Sequence, residues 1–317
     1  MHELVDLINS YVWSSALVYL CLGAGLFFSI MTRFVQVRQF KEMIRLLSGG
    51  RESEKGISTF QALAVSLSGR VGTGNIAGVA AAIGFGGPGA VFWMWMVAFL
   101  GASTAYVEST LGQIYKEVDE GQYRGGPSFY IEKALGQKWY AWIFALATVL
   151  ATGFMLPGVQ ANAIGNAVDL AMGGGMLVET PLGEISRIKL ITGSAVVVFL
   201  GIIIFGGVKR IAHFTQFVVP IMALLYVGSA VIIIIMNLEA VPGVIKLILG
   251  DAFTPMAGFG AVIGWGVKRG IYSNEAGQGT GPHAASAAEV QHPAQQGLVQ
   301  AFSVYVDTLF VLSLIHI

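Results

Sequence analysis

The chain is 317 residues long, 55% hydrophobic and only 11% charged, with 18 basic residues balanced by 18 acidic ones. Soluble domains carry roughly 25% charged residues, so the composition excludes an ordinary water-soluble domain and describes a polytopic membrane protein. Zero net charge gives no sign of a nucleic-acid partner, and a lone cysteine, Cys21, excludes an intrachain disulfide or a Cys-rich metal site.

A helix needs ~20 apolar residues to cross a bilayer, and eight stretches meet that need: 12–32, 60–84, 88–114, 139–165, 188–207, 212–236, 256–277 and 296–317. The first follows Glu3 and Asp6 rather than a basic segment and shows no small-residue cleavage site, so it reads as a span and not as a leader. Three segments are expected to lie along the membrane surface: 34–47, where apolar and basic residues alternate at helical spacing, 126–135 and 241–249. Basic residues fix the orientation. Arg33, Arg38, Lys41, Arg45, Arg51, Lys55, Lys116, Arg124, Lys133, Lys138, Lys209 and Arg210 fall in loops on one side, against Arg187, Lys189 and Lys246 on the other. The positive-inside rule then puts the N-terminus outside, in a multi-pass protein of the inner or plasma membrane.

Two stretches interrupt the apolar pattern where a spanning helix should be most uniform. The first, Leu67-Ser-Gly-Arg-Val-Gly-Thr-Gly-Asn-Ile-Ala-Gly78, places a charge, two hydroxyls and an amide among four glycines. Irregular backbone at membrane depth is tolerated only in protein or along a cavity, and marks a binding site in secondary transporters. A half-helix beginning near Asn75 would aim free N–H groups at a carboxylate. One ending near Val71 would offer carbonyls, with the Ser68 hydroxyl, to a cation. The competing reading is a glycine packing face, since Gly74 and Gly78 make a small-xxx-small step.

The second stretch, 264–279, contains Trp265, Gly266, Lys268, Arg269, Gly270, Ser273, Asn274 and Glu275. Unwound carbonyls here would accept from a substrate ammonium group, with Trp265 capping the pocket or anchoring the interface. Lys268 and Arg269 are expected to be paired structural charges, balanced by Glu275 or by the surroundings of Arg70. Gln160 faces the substrate or bridges two helices, and Glu108 is a structural or gate group. Asp307 is a further polar group inside a span, and His283 and His292 read as solvated. No P-loop, nucleophile elbow or metalloprotease motif occurs, which argues against an enzyme and against an ATP-driven pump in this chain.

Arg70-Val-Gly-Thr-Gly-Asn-Ile-Ala-Gly-Val79, Gly86-Gly-Pro-Gly-Ala-Val-Phe-Trp-Met-Trp95, Gly125-Gly-Pro127, Val159-Gln-Ala-Asn162 and Arg269-Gly-Ile-Tyr-Ser-Asn-Glu-Ala-Gly277 resemble the signature blocks of the alanine/glycine:cation symporters. The resemblance implies sodium-coupled, or in some members proton-coupled, uptake of alanine or glycine. It also implies an all-α, LeuT-like inverted-repeat transporter with about eight of eleven transmembrane helices present. In that scheme residues 1–311 form one domain, with an extra helix at 12–32, a first repeat at 60–236 and the start of a second at 256–311. The amides of Gly72, Thr73, Gly74 and Asn75 would hold the substrate carboxylate, and Gln160, Trp265 and Gly266 would shape the rest. Ser68, the Val71 carbonyl and Asn75 would hold sodium. Alternatives are another small amino acid as substrate, proton coupling, or a channel. The family has about three more spans, one of which completes a sodium site in this fold. The final residues 312–317 match one reading frame of a transposon end used in preparing sequencing libraries, so the coding sequence is expected to end near Val311.

Overall fold

The computed structural model describes residues 2–49, 53–181, 183–254 and 259–313. It is mostly helical: α1 (His2–Val12), α2 (Ser15–Met31), α3 (Val35–Arg38), α4 (Phe40–Leu47), α5 (Thr59–Arg70), α6 (Thr73–Gly86) and α7 (Ala90–Ile114) come first. A β1–β2 hairpin (Glu117–Asp119, Gln122–Arg124) precedes α8 (Pro127–Leu135), α9 (Lys138–Leu150) and α10 (Leu156–Ala171). A second hairpin, β3–β4 (Leu177–Thr180, Gly183–Ser186), leads to α11 (Arg187–Ile204), α12 (Gly207–Met236) and α13 (Val241–Asp251). Then come α14 (Phe259–Asn274), α15 (Gly281–Ser286), α16 (Pro293–Tyr305) and a π-helical stretch, Val306–Leu312. Both hairpins are antiparallel, with Val118 opposite Tyr123 and Val178 opposite Ile185. They fall in segments where the sequence reading expected no strand.

Among the described residues, five helical stretches are long and apolar enough to cross a membrane: Leu7–Met31, Ala90–Ile114, Lys138–Ala171, Arg187–Ile204 and Gly207–Met236. The expected span 60–84 is instead two half-helices, α5 and α6. The expected spans 256–277 and 296–317 correspond to α14 and to α16 with its π-helical extension. Residues 255–258 and 314–317, and so parts of the spans expected at 256–277 and 296–317 and most of the 312–317 tail, lie outside the described residues. The three segments expected along the surface are helical, as α3–α4, α8 and α13. Between α9 and α10 the chain makes one π-helical turn, Ala151–Met155, just before Pro157. Proline brings no N–H to the helical ladder, and a π turn absorbs the mismatch.

The core gathers around α7, which packs along α2, α14, α15 and α16. Its inner face is small: Ala98, Ala102 and Ala105 are fully buried. Small residues let backbones approach closely where apolar burial gives no net drive. At Gly266 of α14 a Cβ would lie 2.5 Å from the Ala90 carbonyl oxygen, so that contact admits no side chain. By contrast α9 to α12 turn large apolar groups outward, among them Trp142, Leu170 and Leu224. Helix α2 is tied to α7 by Ser103, whose hydroxyl donates to the Gly25 carbonyl at 2.9 Å.

Candidate functional site

Helix α5 starts at a capping box in which Ser58 Oγ accepts from the Gln61 amide and Gln61 Oε1 accepts from the Ser58 amide. It stops at Arg70. Val71 (φ −81°, ψ 101°) and Gly72 (φ −166°, ψ −145°) are extended, and α6 begins at Thr73. The first break is therefore where the sequence places it. Asn75 Oδ1 accepts from the Gly72 amide at 3.1 Å, fixing the entrance to α6. The side chain of Gln160, from α10, lies against the break: a Cβ at Gly72 would stand 2.8 Å from its Nε2 and 3.1 Å from its Oε1. The structure thus brings together Val71, Gly72, Gly74, Asn75, the backbone of Thr73, and Gln160. The side chain of Thr73 lies outside the described residues. Ser68 is exposed, and its hydroxyl donates back to the Val65 carbonyl at 2.7 Å rather than toward Asn75.

The second interruption is real but sits at the end of the expected stretch. Helix α14 runs through Gly264, Gly266 and Gly270 without unwinding and ends at Asn274. Glu275 then turns left-handed (φ 55°), followed by Gly277 (φ 88°) and Gly279 (φ 84°) before α15 begins. Asn274 Oδ1 accepts from the Ala276 amide at 3.0 Å, and Glu108 of α7 accepts from the Gly277 amide at 3.2 Å. Glu108 therefore holds the unwound segment, in keeping with a structural or gate group. The two breaks are level with one another: a Cβ at Gly74 would meet the Tyr272 ring at 3.1 Å, and one at Gly69 would lie 3.5 Å from Glu275 Oε1.

Trp265 and Gly266 are elsewhere. Trp265 stacks on Phe85 near the far end of α6, with ring centroids 4.9 Å apart, and lies seven residues, roughly 10 Å at 1.5 Å per helical residue, before Tyr272, which faces Gly74 at the break. Gly266 faces Ala90 and Trp93 of α7. Lys268 and Arg269 were expected in ion pairs. Among the described residues neither forms one; Arg269 instead lies over the Trp265 ring, 5.4 Å from its centroid. Of the two histidines expected in solvent, His292 is exposed, its Nδ1 capping α16 by accepting from the Ala294 amide, whereas His283 is partly buried with Nδ1 2.9 Å from the Gly125 carbonyl oxygen.

What the sequence reading did not anticipate is the centrality of Asp307. This fully buried carboxylate accepts from Asn75 Nδ2 at 2.6 Å on one oxygen, and from Ser273 Oγ at 3.1 Å and Thr308 Oγ1 at 2.9 Å on the other. It joins the start of α6, the end of α14 and the π-helical stretch. Its partner Asn75 is 232 residues away, and the only signal in the sequence was a carboxylate inside an apolar run. Arg70 is 2% exposed, with Nη1 donating to the Gln300 carbonyl oxygen and to Ser303 Oγ. Its charge acts on Glu108, Glu275 and Asp307, although no ion pair within 4 Å joins it to them among the described residues.

Below the breaks, on the side of the basic loops, the two interrupted segments are tied together. Ile57 pairs with Ala288, exchanging backbone bonds of 2.9 Å with Ala287 and Glu289. Glu289 Oε2 accepts from Ser53 Oγ and from the Tyr123 hydroxyl. Lys116 donates to the Ala288 carbonyl at 2.8 Å and lies 3.8 Å from the Tyr123 ring centroid. Burial pushes the Lys116 ammonium down to about 8, against the pull of Glu289.

Several long apolar helices and a helix broken at Val71–Gly72, with a buried amide network around the break, define a multi-pass membrane protein of the transporter class. The chain belongs to the sodium:alanine symporter family, whose model matches residues 1–317. It is 58% identical to YrbD of Bacillus subtilis strain 168, provisionally named a sodium/proton-dependent alanine carrier, over 99% of this chain and 63% of that protein. A sodium/proton-dependent alanine carrier of Bacillus sp. strain PS3 is 48% identical, over 86% of this chain and 59% of its own length. GlnT of B. subtilis, provisionally named a sodium/glutamine symporter, is 43% identical, over 98% and 64%. The chain thus spans less than two thirds of the length of these relatives.

Proposed function

We propose that the protein takes up alanine or glycine across the inner or plasma membrane by alternating access, coupled to a sodium gradient. The observation that carries this reading is the Val71–Gly72 break, with Asn75 on one side and Gln160 on the other. Helix α6 opens there with first-turn N–H groups that suit a carboxylate, and α5 closes there with carbonyls that suit a cation. The Thr73 and Gly74 amides hold the carboxylate, Gly72 and Asn75 shape the turn that presents them, and Gln160 limits the room beside it. Val71 and Asn75 contribute to the cation site. Trp265 and Gly266 act at a distance, through the packing of α14 on α6 and α7. Sodium supplies the energy, since one charge crossing 100 mV is worth ~2.3 kcal/mol. The LeuT-like inverted repeat and an outside N-terminus complete the proposal, on the strength of the family blocks and the basic loops.

The names of two relatives favour a second coupling ion, since both are described as sodium/proton-dependent. The test is labelled alanine uptake into vesicles by the protein carrying the further length that its relatives have. Uptake is followed under sodium and proton gradients, with glycine and glutamine as competitors. Sodium-driven uptake suppressed by glycine is expected. Uptake that follows only the proton gradient would reassign the ion, and suppression by glutamine alone would reassign the substrate.

A further inference from the structure

The chain leaves α2 through two consecutive left-handed residues, Arg33 (φ 55°) and Phe34 (φ 52°), and then runs as α3 and α4. Over this stretch basic and apolar residues come as adjacent pairs: Arg33–Phe34, Val37–Arg38, Phe40–Lys41 and Ile44–Arg45. Steps of three and four residues keep such pairs on one side of a helix. All eight side chains are exposed; Val37 is 55% and Ile44 49% accessible. The opposite side is the reverse: Val35, Gln36, Met43 and Leu46 are buried, against Leu63 and Leu67 of α5 and against α16. Four exposed cations face one carboxylate, Glu42, which Arg45 engages at 2.6 Å. The segment therefore has a protein face, an apolar outward face and a strongly basic rim beside it.

We propose that α3–α4 is a docking surface for the headgroups of anionic phospholipids, with Phe34, Val37, Phe40 and Ile44 in the acyl boundary and Arg38, Lys41 and Arg45 at headgroup level. Charge complementarity selects the occupant: a neutral bilayer surface satisfies the apolar face and leaves the cations unanswered. The surface is wired to the site. The Tyr305 hydroxyl donates to the Gln36 carbonyl at 3.3 Å, and Gln36 Nε2 donates to Ser29 Oγ at 2.7 Å. The Phe40 ring lies 6.2 Å from the Tyr305 ring and 6.1 Å from the Phe302 ring. Tyr305 stands two residues before Asp307, the acceptor for Asn75. Lipid held at α4 thus steadies the end of α16 and, through it, the break. This second part rests on the transport reading given above.

The test compares the protein with R38Q/K41Q/R45Q, F40A and a K138Q/R124Q control, in symmetric vesicles of phosphatidylcholine alone or mixed with phosphatidylglycerol. Symmetric vesicles remove any dependence on orientation. Retained phosphatidylglycerol is measured by mass spectrometry of the intact complex, together with the thermal unfolding midpoint and alanine uptake. The protein and the control are expected to retain the anionic lipid, unfold at a higher temperature in the mixture and transport several-fold faster in it. The triple variant should show none of these responses. F40A should keep the retained lipid and lose the gain in uptake. An equal response of the triple variant and the protein overturns the surface, and an unchanged uptake gain in F40A overturns the route through Tyr305. Absence of uptake in either lipid, with the midpoint shift intact, counts against the transport reading and leaves the surface supported.

Discussion

Asn75 spends both ends of its side-chain amide on the break: the oxygen takes the Gly72 N–H at 3.1 Å and the nitrogen gives to Asp307 at 2.6 Å. Asp307 is thereby coupled to the backbone of α6 through one planar group that cannot turn without losing both bonds. Cutting that group, as N75A, leaves the part-buried Gly72 N–H without its acceptor and removes one of the donors around a buried carboxylate. Each unsatisfied buried group costs about 1–3 kcal/mol. A lower unfolding midpoint and loss of uptake are expected. D307N should be non-additive with N75A by about 0.5–3 kcal/mol, as contacting residues are. A double-mutant cycle on unfolding measures this, and simple additivity would contradict the network.

Gly72 is extended, so an alanine there meets no backbone penalty, and its effect must come from Gln160. G72A puts a methyl where the Gln160 amide now rests. The expected outcome is a rise in the KM for alanine of about tenfold, equivalent to ~1.4 kcal/mol. Shortening the neighbour, in G72A/Q160A, should not raise KM further than Q160A alone. Uptake kinetics for the four proteins decide it.

Two substitutions on α14 separate packing from binding. G266A drives a methyl into the Ala90 carbonyl and the Trp93 side chain, and overpacking of this kind costs about 1–3 kcal/mol. A depressed unfolding midpoint with KM unchanged in the surviving protein is expected. W265F keeps an aromatic ring against Phe85 and should likewise leave KM alone. A large KM increase in W265F would put Trp265 in contact with substrate after all.

Lys116 offers a measurement by pH. Its folded value, about 8, lies below the ordinary 10.5. Between those values the unfolded chain binds the extra proton, so this group adds stability as pH rises from about 8 to 10.5 and withdraws it as pH falls through 8. Amine acylation followed by peptide mass spectrometry should show Lys116 becoming reactive near pH 8, and earlier than in the unfolded chain. Reactivity that rises as it does in the unfolded chain would mean that its burial is not sustained in solution.

The first break was legible because a charge, an amide and closely spaced glycines have no place in a lipid-facing helix. The second was located too early for a related reason. Gly264, Gly266 and Gly270 look like an unwinding signal, yet Gly266 and Gly270 are the small face that lets α14 lie against Ala90, Met94 and Val97 of α7. Composition cannot tell a glycine that frees the backbone from one that makes room for a neighbour. The unwinding came with Asn274–Glu275 and the two left-handed glycines beyond it. Asp307 was visible as an odd carboxylate, but its role required knowing that residues 75, 273 and 307 meet. Lys268 and Arg269 show the limit of pairing arguments, since a tryptophan face served Arg269 where a carboxylate was expected.

The continuity of α14 has a mechanical side. Sixteen residues of unbroken helix make a rod about 24 Å long, with the Phe85–Trp265 stack near its middle and Ser273, about 12 Å further on, near its end. The two points are joined by continuous helix, with Ser273 bonded to Asp307. The helix gives way to irregular chain at residues 275–280, which Glu108 holds at the Gly277 amide and the Thr280 hydroxyl braces against Glu275. Rocking of one half of the protein against the other, as the proposed alternating access requires, is expected to hinge there.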